Sequence, residues 1–124
     1  PAIRSSYYPR RTLHALARQY REYGAAKGTL FARGRPLRAR HFAPAAMVAG
    51  GPALWLIGRV SKTARLALRG LALAYVGLGG FAAYRAAQRH GANPALTFAA
   101  MATMHVSYGA GFLEGWWRER SNRA

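Results

Sequence analysis

The stretch Ala92-Asn93-Pro94-Ala95-Leu96-Thr97-Phe98-Ala99-Ala100-Met101-Ala102-Thr103-Met104-His105-Val106-Ser107-Tyr108-Gly109-Ala110-Gly111-Phe112-Leu113 carries no formal charge, in a chain that is densely basic around it. A helix that crosses a bilayer needs roughly 20 mostly apolar residues, and this stretch is long enough. Asn93 and Pro94 have the chemistry of a helix start and Trp116-Trp117-Arg118 that of an interfacial stop, so the expected apolar helix covers residues 92–117. Upstream, residues 66–84 are almost as apolar, interrupted only by Arg69, with Gly70, Gly77, Gly79 and Gly80 offering close helix contacts. The link at 85–91 is short, so the two segments are expected to form an antiparallel transmembrane hairpin.

A length of 124 residues suits one folded unit. Nineteen Lys and Arg stand against three acids (Glu22, Glu114 and Glu119), with no aspartate, for a net charge of +16. Such a charge points to an anionic partner. The apolar runs favour an anionic lipid bilayer over nucleic acid, because a soluble nucleic-acid binder would not expose them. With no cysteine there is no disulfide framework, thiolate zinc site or thiol nucleophile. No signal peptide is visible, and the chain begins at Pro1 in place of Met, which suggests a processed chain or a piece of a longer one.

Residues 1–41 form a basic, cytoplasmic segment with nine Arg and one Lys. Within it, residues 12–31 read as an amphipathic helix: Leu13, Leu16, Ala17, Tyr20, Tyr23, Leu30 and Phe31 share one face, and Arg10, Arg11, Arg18, Arg21 and Glu22 fall on the other. Pro9 suits its start and Gly28 or Gly34 its end. Such a helix lies most naturally in the headgroup plane, with tyrosines at the boundary. Each Lys or Arg near anionic lipid then contributes about 1 kcal/mol. The alternative is a soluble helix packed on another domain.

The membrane domain is expected over residues 42–124. Its first apolar segment, 42–58, is short and contains Pro44, Gly50, Gly51 and Pro52. An interior proline removes a backbone hydrogen bond and clashes with the preceding turn. The segment is therefore either a kinked short span or a broken, re-entrant hairpin whose freed backbone groups protein must cover. Arg59, Lys62, Arg65 and Arg69 follow as a second basic cluster. If the first segment only dips in, that cluster, the N-terminal region and the tail share one side, and only Arg85 and Arg89 face the other. The positive-inside rule favours this arrangement. The expected fold is thus an all-α membrane protein of a bacterial inner membrane, with an interface helix, a broken or re-entrant segment, a two-helix transmembrane hairpin and both termini cytoplasmic.

Catalytic chemistry is mostly missing. Three scattered glutamates make no paired-carboxylate acid–base site and no clustered metal site, and the glycines at 77, 79 and 80 lack the lysine of a P-loop. His105 is the polar exception at membrane depth, where such groups are functional candidates. Its small neighbours would admit a tetrapyrrole whose metal it ligates; the plainer reading is an interhelical hydrogen bond, to a hydroxyl or to a carbonyl freed near Pro44. Thr103, Ser107, Gly109 and Gly111 read as a helix-packing face. Glu114 is placed to pair with Arg118 one turn on.

Three motifs carry a resemblance. Tyr8-Pro9-Arg10-Arg11-Thr12-Leu13 followed by Ala17-Arg18-Gln19-Tyr20-Arg21-Glu22-Tyr23-Gly24 and Lys27 is the first. Leu37-Arg38-Ala39-Arg40-His41-Phe42-Ala43-Pro44 is the second, and His105-Val106-Ser107-Tyr108-Gly109-Ala110-Gly111-Phe112-Leu113 the third. Together they resemble the membrane region that follows the catalytic domain in bacterial family 2 glycosyltransferases of the succinoglycan-synthesis type.

That resemblance implies that Gln19, Tyr20 and Tyr23 lie on the acceptor approach, as a degenerate Gln-x-x-Arg-Trp motif with Glu22 and Tyr23 substituted. It also implies phosphate or headgroup contacts for Arg18, Arg21 and Lys27, a basic membrane entry at Arg38 and Arg40, and a packing role for His105, with no cofactor. The family's Asp-x-Asp metal site and catalytic-base Asp are absent. The chain would then anchor a catalytic domain and position its acceptor. The alternative is a non-catalytic accessory subunit of a larger bacterial membrane complex, photosynthetic or respiratory.

Overall fold

The computed structural model describes residues 12–124, which form four α-helices and one short 3-10 turn. Helix α1 spans Leu13–Ala32, the 3-10 turn Ala39–His41, α2 Ala43–Gly58, α3 Lys62–His90 and α4 Pro94–Ser121. No strand occurs among the described residues.

Each boundary has a local cause. Thr12 caps α1 by accepting the Ala15 N–H (3.2 Å), and the helix closes at Gly34, whose φ of 76° favours glycine. Pro9 lies outside the described residues, and Gly28 sits inside α1 instead of ending it. Ser61 caps α3 through the Ala64 N–H (3.3 Å), and Gly91 terminates it at φ 63°. Asn93 accepts the N–H groups of Ala95 (2.9 Å) and Leu96 (3.2 Å), with Pro94 just inside, as its position in the sequence indicated.

Helix α4 is the hub, packing against each of the other three. The turn at 91–93 folds it back antiparallel along α3, where Tyr75 meets His105 and Gly79 meets Phe98. On another side α1 runs parallel to α4, from Arg21 beside Glu114 to Arg33 beside Glu119. This α1–α4 contact is the most extensive in the fold, and glycine makes it possible. Gly24 and Gly28 of α1 lie against the carbonyl oxygens of Tyr108 and Phe112, while Gly111 and Gly115 of α4 lie against those of Arg21 and Ala25. A Cβ at any of the four would overlap backbone. Two G-x-x-x-G stripes therefore interlock, the arrangement that lets helix backbones approach most closely.

The core matches that economy. The buried apolar residues are Ala45, Ala64, Ala83, Ala87 and Phe112. Phe112 anchors a ring cluster with Phe31 and Phe42, whose centroids lie 4.9–6.0 Å apart.

Several expectations change. Helix α1 exists where the periodicity placed it, but its packed stripe is centred on Gly24 and Gly28; Tyr23 is 54% exposed. Helix α2 is unbroken, with Pro44 in the first turn, where its missing N–H costs nothing, and Pro52 carried inside the helix. At 16 residues it is about 24 Å long, short of the roughly 30 Å hydrocarbon layer.

The expected two-helix hairpin is present as a helix pair. The hairpin of α3 and α4 is there, yet α3 alone among the described helices is long and apolar enough to cross a membrane. In α4 the uncharged stretch is diluted by Thr97, Thr103, His105, Ser107 and Tyr108, and the helix ends in Glu114, Arg118, Glu119 and Arg120. Freedom from charge is not apolarity. Of the α3 glycines, only Gly79 meets another helix; added side chains at Gly70, Gly77 and Gly80 would find open space. Gly109 and Gly111 do not share a face either, since Gly109 abuts Pro44 of α2 and Gly111 abuts α1.

Candidate functional site

Where α1, the 3-10 turn, α2 and α4 converge, they form an open cleft of about 240 Å³ lined by Tyr20, Arg40, His41, Pro44, Met104, His105 and Tyr108. The packing above positions each of them. The close α1–α4 approach brings Tyr20 toward Tyr108, and the contact of Gly109 with Pro44 sets the 3-10 turn, with Arg40 and His41, over the same part of α4.

Two histidine–tyrosine pairs fix the walls. His41 Nδ1 lies 3.2 Å from the Tyr108 hydroxyl, with the two rings stacked. His105 Nδ1 lies 3.0 Å from the hydroxyl of Tyr75 on α3. His105 thus makes the interhelical bond to a hydroxyl that was the plainer of its two readings. Among the described residues no three His, Cys, Asp or Glu side chains come together as a metal site.

The cleft is electropositive. Burial lowers the pKa of His41 first, and the charges of Lys27, Arg40 and Arg38 lower it further. A neutral imidazole therefore sits among three fixed cations, and no carboxylate lines the cleft.

Of the residues singled out from sequence, Tyr20, Arg40 and His105 line this cleft, with Lys27 and Arg38 close enough to act on His41. Gln19 donates from Nε2 to the Tyr23 hydroxyl (2.9 Å), and the Tyr20 and Tyr23 rings meet edge to face at 5.8 Å, so these three form one cluster on α1. Arg18 is exposed. Arg21 is engaged with Glu114 at 2.9 Å, and Glu114 also takes Arg118 as expected. Glu119 holds Arg33 through both carboxylate oxygens (3.0 and 3.1 Å) and accepts from Arg123 (3.0 Å). Two of the three acids in the chain thus tie α1 to α4.

Tyr75 was not picked out from sequence, and His41 and Tyr108 entered only as members of quoted motifs, with no role of their own. Tyr75 carried a usable signal, as a hydroxyl inside an otherwise apolar helix. No family profile, curated protein or solved structure matches the chain.

Proposed function

We propose that the chain is a membrane-anchoring module that works beside a catalytic domain or within a larger membrane assembly, and is not catalytic by itself. One observation carries this reading: the most apolar 18-residue window of α3 has a mean hydropathy of 1.5 and is only 6% buried by the rest of the fold. Leu73 and Leu78 are each 74% exposed, and Trp55, Leu56 and Ile57 of α2 extend the same kind of surface. Soluble monomers rarely leave more than a few hundred Å² of contiguous apolar surface open. At 29 residues, α3 is about 44 Å long, sufficient for the hydrocarbon layer with ends to spare.

Charge gives the anchor an orientation. The first turn of α3 and the last turn of α4 share one end of the hairpin, and the Arg33–Glu119 pair brings the end of α1 there too. Lys62, Arg65, Arg33, Arg118, Arg120 and Arg123 gather at that end, against Arg85 and Arg89 at the other. By the positive-inside rule the basic end, with the C-terminal tail, lies on the cytoplasmic side of a bacterial inner membrane. Hydrocarbon meets the α3 face. The α1 side of α4 carries Arg18, Arg21 and Arg40 near the level of Tyr75, where charges require water, headgroups or partner protein. By the resemblance to family 2 glycosyltransferases, that face, with Gln19, Tyr20 and Tyr23, is the acceptor side.

The non-catalytic accessory subunit is favoured by a different observation. Glu114 and Glu119 are committed to ion pairs, which leaves Glu22 as the one remaining acid for any chemistry. The mass of the native polypeptide carrying this sequence separates the two readings. A chain enlarged by a nucleotide-sugar domain supports the glycosyltransferase module, and one near 13.5 kDa supports the subunit.

Alkaline carbonate extraction of native membranes tests the anchor. The chain is expected in the pellet, and Leu73→Arg with Leu78→Arg is expected to release it, since each central arginine costs roughly 2.5–3.5 kcal/mol. Release of the unaltered chain would refute the anchoring role.

A further inference from the structure

The chemistry of the α1–α4 cleft is more specific than a basic surface. It gathers a guanidinium (Arg40), two imidazoles (His41 and His105) and two phenols (Tyr20 and Tyr108) around about 240 Å³. Each imidazole is engaged through Nδ1, by Tyr108 and by Tyr75. Each Nε2 has no hydrogen-bond partner among the described residues. When Nδ1 of His41 accepts the Tyr108 proton, its Nε2 carries a hydrogen and becomes a donor. Arg40 makes no ion pair among the described residues.

The site is thus rich in donors and without carboxylates, and Lys27 and Arg38 add positive charge at His41. A cation is disfavoured there. An anion with several acceptor oxygens would be met by a planar guanidinium and by neutral donors fixed by packing, a combination suited to phosphate. The cleft, about 240 Å³ and open to the surface, has room for a phosphate group with its first substituent.

We propose that this cleft is a phosphate-binding site that takes the terminal phosphate of an anionic lipid headgroup or free inorganic phosphate, with Arg40 and His41 as its ligands and Tyr108 holding the His41 ring so that Nε2 donates. Of this, only the lipid source rests on the anchoring role of α3. The positions of the cleft residues are independent of any bilayer.

The test uses the full chain in non-ionic detergent, titrated calorimetrically with a short-chain phosphatidic acid and, separately, with inorganic phosphate. Saturable binding is expected, about tenfold weaker in Arg40→Gln, because a hydrogen bond to a charged group contributes roughly that factor. Tyr108→Phe is expected to weaken it as well. Arg18→Gln removes the same charge from exposed α1 outside the cleft and is expected to leave affinity within about twofold. Arg40 is exposed, so its variant retains the fold, which circular dichroism verifies. Tighter binding of the lipid than of phosphate assigns the headgroup, and equal binding assigns free phosphate. No saturable binding of either ligand, or equal weakening by Arg18→Gln and Arg40→Gln, would overturn the site. Failure of α3 to anchor shows in carbonate extraction, a separate readout.

Discussion

The carbonyl oxygen of Phe112 occupies the space that a Cβ on Gly28 would fill. The same relation holds between Gly111 and the carbonyl of Arg21 in the opposite direction, so α1 and α4 are matched backbone to backbone. Gly28→Ala and Gly111→Ala are each expected to destabilise the helix pair by about 1–3 kcal/mol, the usual cost of overpacking. Gly77→Ala on α3, where a Cβ meets nothing within 4 Å, is expected to be neutral or up to about 1 kcal/mol stabilising through helix propensity. Denaturant titration in detergent, read by circular dichroism, checks all three. Tolerance of alanine at Gly28 and Gly111 would mean that α1 does not pack on α4 this way.

The ion pairs along that contact predict an acid response. Hydrogen bonding from Arg33, aided by Arg123, holds the Glu119 carboxyl below the usual 4.5. A lowered folded-state value means that the unfolded chain binds the proton first. The stabilisation is therefore fully present above about pH 4.5 and is lost as pH falls through the lower folded value. Hydrogen exchange in the last turn of α1 is expected to quicken across that window. In Glu119→Gln it is expected to be fast already at neutral pH and insensitive to acid.

His41 has a matching prediction. Burial and the nearby Lys27, Arg40 and Arg38 hold its pKa below the usual 6.5, so the folded chain keeps it neutral at pH 7. Protonation becomes easier on unfolding, and this contribution to stability is lost as pH falls from 6.5 through the folded value. Since burial is the largest cause, Lys27→Gln should move the titration, followed by NMR of the ring, only part of the way back. Complete recovery would show that charge, not burial, sets it.

The bond between Tyr75 and His105 joins α3 to α4. Tyr75→Phe and His105→Leu are expected to show a coupling of about 0.6 kcal/mol, and no more than about 2 kcal/mol, in a double-mutant cycle. Neither change should remove a pigment band from the purified chain. A lost band would return His105 to the role of tetrapyrrole ligand.

What could be read from the residues alone, and what could not, follows from how each signal arises. The helix start at Asn93 depends on local backbone chemistry, which sequence carries directly; the cap at Ser61 and the stop at Gly91 were not expected, and α3 runs through most of the expected link at 85–91. The apolar character of α3 is likewise a local sum. The partner of α1 was not local: its aromatic face suggested a membrane surface, whereas Gly24–Gly28 and Gly111–Gly115 together encode a helix contact that appears only when both stripes are considered as a pair. Helix α4 falls short of the apolarity of a span for a different reason, because alanine, glycine, threonine and serine are uncharged without being strongly apolar. The cleft was legible only in pieces, since Arg40 and His41 come from a 3-10 turn that neither periodicity nor motif places over Tyr108.

Whether α3 crosses a bilayer can be measured directly, because the chain has no cysteine to confuse the labelling. Single cysteines at Thr63 and Gln88, at the two ends of α3, would be exposed to a membrane-impermeant maleimide in sealed, right-side-out and inverted vesicles. The expected result is labelling from opposite sides, with position 63 reached from the cytoplasmic face together with the tail after Trp117. Labelling of both positions from the same side would contradict a spanning α3, and the anchoring role with it.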